Sequence, residues 1–173
     1  MRKIDRFGIT FAIRTMQHAA WRIDGKERCQ MRKPEGNVQL KTLIIDDDPH
    51  VRNTFELLFE EIGWSLQTAP SAEEGLELLE RGDYDIIVSD FGLPEMNGLE
   101  FFQQAMIACP ASIHILMSAN GDDEVISRAY EIGLDDFLQK PYTLETLLAT
   151  IAVHVRKTRA VYGDIPATAL AAA

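Results

Sequence analysis

The sequence predicts an α/β domain, a doubly wound five-stranded parallel sheet with five flanking helices. Three observations carry this reading. From Lys41 onward, short apolar runs alternate with segments whose apolar residues recur at helical spacing. The run Ile86-Ile87-Val88 is apolar at every position, as a central parallel strand covered on both faces should be. Strands alternating one for one with helices imply right-handed crossovers and helices on both faces of the sheet.

The first strand is expected at Thr42 to Ile45. A helix follows from Pro49 to Ile62, with Val51, Phe55, Leu58 and Phe59 on one face and Gly63 as its stop. Trp64 to Thr68 alternates as a second strand. Ser71-x-x-Glu74 reads as a capping box opening a helix through Leu79. Tyr84 to Ser89 is the third strand, a loop spans Asp90 to Asn97, and a helix runs from Gly98 to Ala108 until Pro110 stops it. Ile113 to Met117 is the fourth strand, Asp122 to Ile132 a helix closed by Gly133, and Phe137 to Gln139 a short fifth strand. The last helix, Leu144 to Arg156, is capped by Thr143.

Around this domain, residues 41–158, the sequence is less regular. Residues 1–40 are expected to form an N-terminal extension, poorly ordered or carrying a short basic helix between Phe7 and Trp21. Residues 159–173, ending in Ala-Leu-Ala-Ala-Ala, are expected as a frayed C-terminal tail with no room for a second domain.

Of the 173 residues, 46% are apolar and 25% charged, the composition of a soluble globular protein. No apolar run approaches the roughly 20 residues that span a bilayer. Arg14 interrupts the Phe7–Ile13 patch that a signal peptide would extend. Cys29 and Cys109 have no C-x-x-C spacing, which argues against a disulfide framework or structural zinc and fits a reducing cytoplasm. The net charge of −10 is unevenly divided: residues 1–40 hold nine Lys/Arg and four Asp/Glu, residues 41–173 eight and twenty-three. Such an acidic domain repels nucleic acid, so neither DNA nor a membrane is expected as its partner.

Ligands of an open parallel sheet bind at the carboxyl ends of its strands. Those ends carry Asp46-Asp47-Asp48, Asp90, Ser118 and Lys140-Pro141. Taken singly, each has a plain reading: Asp48 caps the helix that Pro49 begins, Asp90 caps the segment after it, and Lys-Pro is a turn. Their joint placement on four different strands points instead to a site. The carboxylates of Asp46, Asp47 and Asp90 repel one another unless a cation lies among them, and such hard oxygen ligands suit Mg²⁺. The Gly92 backbone carbonyl, in a loop shaped by Gly92, Pro94 and Gly98, is placed to complete the coordination. The cation would keep Asp90 ionised and nucleophilic, and carboxylates do form aspartyl-phosphates. Mg²⁺ and Lys140 would then neutralise the oxygens of a phosphoryl group in flight, with the Ser118 hydroxyl bonding one of them.

Leu43-Ile-Ile-Asp-Asp-Asp-Pro49, Ser89-Asp90-Phe-Gly-Leu-Pro94-x-Met96-x-Gly98, Leu116-Met-Ser118-Ala119 and Phe137-Leu-Gln-Lys140-Pro141 together resemble the receiver domain of bacterial response regulators. The resemblance covers about Lys41 to Lys157 and implies the receiver, or flavodoxin-like, fold. It also implies that Asp90 is the phosphoacceptor, Asp47 a direct metal ligand and Asp46 a ligand acting mostly through water, with the Gly92 carbonyl ligating too. Ser118 and Lys140 would contact the phosphoryl group, and the Lys140–Pro141 bond would be cis. Phe137 occupies the family's switch-aromatic position, where Ser118 moving toward phosphate lets the ring turn inward. It has no hydroxyl, and its plain reading is a packed core aromatic. The donor would be a histidine kinase or histidine phosphotransfer protein, and a downstream protein would bind at about residues 121–157.

The expectation is therefore a single-domain, chemotaxis-regulator-like protein in a two-component phosphorelay, signalling by protein contact. A phosphorelay shuttle to a second histidine protein is an alternative. A hydrolase that turns over on Asp90 would want a substrate cap and a general acid, yet Phe91 and Gly92 follow Asp90. A scaffold pseudo-receiver would lack an acidic position or the lysine, and none is missing. The chain is thus not expected to be a turnover enzyme. Its self-hydrolysis would depend on Gly92 and Asn120, which follow Asp90 and Ser118 by two residues. A glycine orients no water and Asn120 carries no charge to act as a base, so an intermediate rate is expected.

Overall fold

A computed structural model describes residues 22–23, 31–32, 40–62, 64–119 and 123–162. Its main elements are β1 (Lys41–Ile45), α1 (Pro49–Ile62), β2 (Ser65–Ala69), α2 (Ala72–Arg81), β3 (Ile86–Asp90), α3 (Gly98–Ala108), β4 (Ile113–Ser118), α4 (Asp123–Glu131), β5 (Asp136–Gln139) and α5 (Leu144–Tyr162). The five strands lie in the order β2-β1-β3-β4-β5, every neighbouring pair parallel. The chain leaves β1 first to one side and then to the other, so the order reverses there and a crevice opens above the ends of β1 and β3.

Side chains alternate across the strands and divide the interior into two cores. On one face Ile44, Val88, Ile115 and Met117 pack under Phe55 and Phe59 of α1 and Leu147 and Ile151 of α5. On the other, Leu43, Ile45, Ile87 and Leu116 pack under Leu79 of α2, Phe101 and Phe102 of α3 and Ala129 of α4. Phe59, Phe101 and Phe102 are fully buried, and each such ring contributes on the order of 2 kcal/mol. His154 of α5 is buried and meets Asp136 of β5 at 2.8 Å, which ties the last helix to the edge strand.

The expected elements all form, with shifted ends. β2 starts at Ser65, because the Trp64 amide turns back to the Phe59 carbonyl at 2.9 Å and closes α1. β3 and β4 each run one residue further than expected, so Asp90 and Ser118 are the last residues of their strands. Of the capping box expected at Ser71, the described residues show one half, Glu74 N–H donating to the Ser71 hydroxyl at 3.2 Å. The full box is at Asn97 and Glu100, whose side chains each accept from the other's amide at 3.1 Å.

The helix end expected at Arg156 needs correction, since α5 continues to Tyr162. No glycine or proline interrupts the chain between Leu144 and Gly163, so nothing in the backbone ends the helix earlier. Arg22–Ile23 pairs antiparallel with Met31–Arg32. The helix expected between Phe7 and Trp21, the other residues before Leu40, Gly63, Asn120, Asp122 and the tail after Tyr162 lie outside the described residues.

Candidate functional site

The β1–α1 turn is built by its own aspartates. Asp48 caps α1, its carboxylate accepting from the His50 amide at 2.8 Å and its carbonyl from the Arg52 amide at 3.1 Å. That leaves Asp46 and Asp47 to face the crevice. Asp46 is buried, and its Oδ1 accepts from the Asp48 amide at 2.9 Å. Asp47 is exposed. Arg52, on the first turn of α1, donates from Nη1 to the carbonyls of Asp46 at 2.7 Å and Asp47 at 3.0 Å.

Asp90 ends β3 beside β1 and β4. One carboxylate oxygen from each of Asp46, Asp47 and Asp90 falls within 4.8 Å of the others. This is the convergence that the strand ends imply, and an oxygen cluster of that size fits a hard divalent cation. From the far side Lys140 reaches in, its Nζ 2.9 Å from Asp90 Oδ2 and 3.3 Å from Asp46 Oδ2. The Lys140–Pro141 peptide is cis, as expected. The Lys140 amide donates to the Ser118 carbonyl at 2.7 Å, so the ends of β4 and β5 are fastened together. Asp90 is in register with Met117, which places buried Ser118 one residue beyond Asp90 on the neighbouring strand.

The loop after Asp90 is held close to the sheet. The Phe91 amide donates to the Met117 carbonyl at 2.7 Å and the Gly98 amide to the Phe91 carbonyl at 3.0 Å. Glu95 takes the left-handed backbone conformation, with φ of 60°, to turn the loop back toward α3. A β-carbon on exposed Gly92 would have Asp90 Oδ2 as its nearest neighbour, at 4.0 Å, so this position looks onto the Asp90 carboxylate with open space between. Phe137 is half-buried and packs against the core beneath α2, α3 and α4.

The charges are mutually adjusted. Burial pushes the Asp46 carboxyl above its ordinary range and the Asp90 charge adds to this, while the Asp48 amide and Lys140 oppose it. Burial pulls the Lys140 ammonium down, but the hydrogen bond to Asp90 and the charges of Asp46 and Asp90 leave it above its usual value. Tyr142, next to Pro141, is raised by burial and then by the charges of Asp46 and Asp90. Sequence reasoning missed both Arg52 and Tyr142. The only signal for Arg52 is its place one turn into the helix that follows the acidic run.

A cleft of about 490 Å³ opens beside Lys140, between the start of α1 and the β5–α5 turn, walled by His50, Val51, Phe55, Tyr142 and Leu144. Among the described residues no helix is long and apolar enough to cross a membrane.

Residues 42–152 match the response regulator receiver domain family. The cell cycle transcriptional regulator CtrA of Caulobacter vibrioides is 28% identical over 120 residues, which is 69% of this chain and 52% of that protein. The chain thus spans about half the length of the curated relatives it matches. Among solved structures, a CheY-like response regulator receiver domain protein from Methanospirillum hungatei superposes with a TM-score of 0.67 at 25% identity, covering 69% of this chain and 96% of that one. A two-component response regulator from Clostridium difficile gives 0.66 at 28% identity, covering 70% and 99%. With a family match over most of the described domain and a sheet and strand-end site of the matching kind, the chain belongs to the response regulator receiver domain family, the signal-accepting module of two-component systems.

Proposed function

We propose that Asp90 accepts a phosphoryl group from a histidine of a kinase or phosphotransfer protein, with Mg²⁺ held by Asp46, Asp47, Asp90 and the Gly92 carbonyl. The observation that supports this most is the reach of Lys140, which bridges Asp90 and Asp46 from just beyond the end of β5, 50 and 94 residues away in sequence. A half-buried carboxylate in a cation-sized acidic cluster, held beside an ammonium, is poised to attack phosphorus rather than to serve as a helix cap.

In the transfer, the O–P bond to Asp90 forms as the P–N bond to the partner's imidazole breaks, the electron pair staying on nitrogen. A bound divalent cation supplies positive charge against the phosphoryl oxygens. Lys140 already lies 2.9 Å from the acceptor and offers the complementary charge from the other side. The Ser118 hydroxyl serves as donor to a third oxygen. The cleft beside Lys140 gives the donor imidazole an approach, with apolar walls to keep out water.

The phosphorylated protein then acts by contact with a downstream protein through α4, β5 and α5, where Tyr130 and Val153 are 52% and 47% exposed. Ser118 and Phe137 carry the switch to that surface. Nucleic acid is not its partner, since residues 41–173 hold eight basic and twenty-three acidic side chains. The protein works in the cytoplasm and turns over no external substrate, its phosphoryl group being lost by self-hydrolysis.

The test is incubation with Mg²⁺ and acetyl phosphate, followed by intact mass. One base-labile adduct per chain, absent in Asp90→Asn, supports the receiver. Continuous release of phosphate at catalytic rate would show a hydrolase, and no adduct would show a scaffold.

A further inference from the structure

Arg52 stands at the entrance to α1 and is bound to the site through backbone alone. Its Nη1 donates to the Asp46 carbonyl at 2.7 Å and to the Asp47 carbonyl at 3.0 Å. Its own amide donates to the Asp48 carbonyl at 3.1 Å. The Asp48 amide is in turn on Asp46 Oδ1, at 2.9 Å, and the His50 amide on Asp48 Oδ1, at 2.8 Å. The turn from Asp46 to Arg52 is therefore closed on itself, every residue that faces the crevice being held from the carbonyl side.

We infer that Arg52 is a positioning residue for the cation site: it clamps the Asp46 and Asp47 carbonyls so that both carboxylates face Asp90 before a cation arrives. The inference rests on the reading of Asp46, Asp47 and Asp90 as that site. Asp47 is exposed, so burial does not fix its side chain. Without the clamp, the turn would lose conformational freedom on binding, and that loss would be charged against affinity. The two hydrogens on one guanidinium nitrogen lie in a fixed plane and can serve two adjacent carbonyls together. A lysine ammonium carries charge but lacks that pre-set fork.

The guanidinium also exerts an opposite effect, since its positive charge repels a cation. The sign of the change on removing it decides between the two. If the clamp dominates, neutralising Arg52 weakens cation binding. If repulsion dominates, neutralising it tightens binding.

The experiment is calorimetric titration of the whole chain with MgCl₂, comparing wild type, Arg52→Met, Arg52→Lys and Asp47→Ala. Arg52→Met is expected to weaken binding about tenfold, equal to ~1.4 kcal/mol. Arg52→Lys should fall between Arg52→Met and wild type. The carbonyl ¹³C shifts of Asp46 and Asp47 should move in Arg52→Met without Mg²⁺, a local signature that a loss of general stability does not produce. Wild-type or tighter binding by Arg52→Met overturns the clamp. Should circular dichroism show Arg52→Met unfolded, Arg52→Lys decides, and wild-type affinity there overturns it. Asp47→Ala separates the two levels. If it binds like wild type, the cation-site reading itself falls. If it loses binding while Arg52→Met does not, the clamp alone falls.

Discussion

A β-carbon on Gly98 would stand 2.3 Å from the carbonyl oxygen of Asp90 and 2.8 Å from a methyl of Leu116. The first residue of α3 therefore lies directly against the backbone of Asp90, and only glycine fits there. Gly98→Ala must push either the helix start or the end of β3 aside. It should cost about 2 kcal/mol or more in a urea unfolding titration, and it should slow adduct formation at Asp90 in the surviving folded fraction.

Among the described residues Lys140 is the one ammonium that contacts two of the three clustered carboxylates. Lys140→Met keeps the length of the side chain and removes the charge. Loss of a donor aimed at developing negative charge lowers rate on the order of a hundredfold. The rate of adduct formation with acetyl phosphate, followed by intact mass, should fall by that amount. A rate within twofold of wild type would show that Lys140 does not act on the transferred group.

Gly92 is expected to set how long the phosphoryl group stays on Asp90. Its absent side chain leaves open space toward Asp90 Oδ2, whose distance from a β-carbon there would be 4.0 Å, so Asn fits without a clash. Gly92→Asn should supply a hydrogen bond to the attacking water and hasten loss of the phosphoryl group about tenfold, for which ~1.4 kcal/mol suffices. The measurement is the decay of the phosphorylated protein in excess Mg²⁺. Equal or slower decay would show that orientation of water from this position is not limiting.

His114 couples stability to pH at the opposite end of β4. It is buried, its ring packs edge-on against Phe102 at 5.6 Å, and its Nε2 has no hydrogen-bond partner among the described residues. Burial lowers it from 6.5 to about 4, against the raising influence of Asp135 and of the Cys109 backbone. The folded state thus holds the neutral ring while the unfolded chain binds a proton below pH 6.5. The stabilisation is complete above 6.5 and is lost as pH falls toward 4. Between pH 7.5 and 5 this amounts to roughly 2 kcal/mol. Urea unfolding at the two pH values should show that loss in wild type and a smaller one in His114→Phe, which keeps a ring and removes the titration.

What the sequence made legible follows from which atoms carry the information. The roles proposed for Asp46, Asp47, Asp90, Ser118 and Lys140 belong to side chains, and their place at the ends of apolar runs is visible in the residue string. Arg52 and Gly98 act on carbonyl oxygens, which every residue has, so nothing in the string marks their partners. The loop from Phe91 to Asn97 is similar: its turn depends on Glu95 adopting a left-handed backbone that glutamate does not advertise. The end of α5 was misplaced because helices stop where a breaker or a lost contact stops them, and no breaker occurs before Gly163. The Asn97–Glu100 box has the spacing used for Ser71 with Asn in place of Ser, and it went unnoticed at the end of the loop expected from Asp90 to Asn97.

The sheet is a bulkhead between two interiors that share no buried side chain. A change of volume at Phe101 has to be absorbed among α2, α3 and α4, and one at Phe59 between α1 and α5. Strain on one side reaches the other only by bending strands, a far stiffer route than shifting side chains. The helices that wall the cleft beside Lys140 can thus diverge in sequence to suit a new donor while the opposite packing stays as it was. Lineages carrying this architecture can rewire the partner they listen to by substitutions on a single side of the wall.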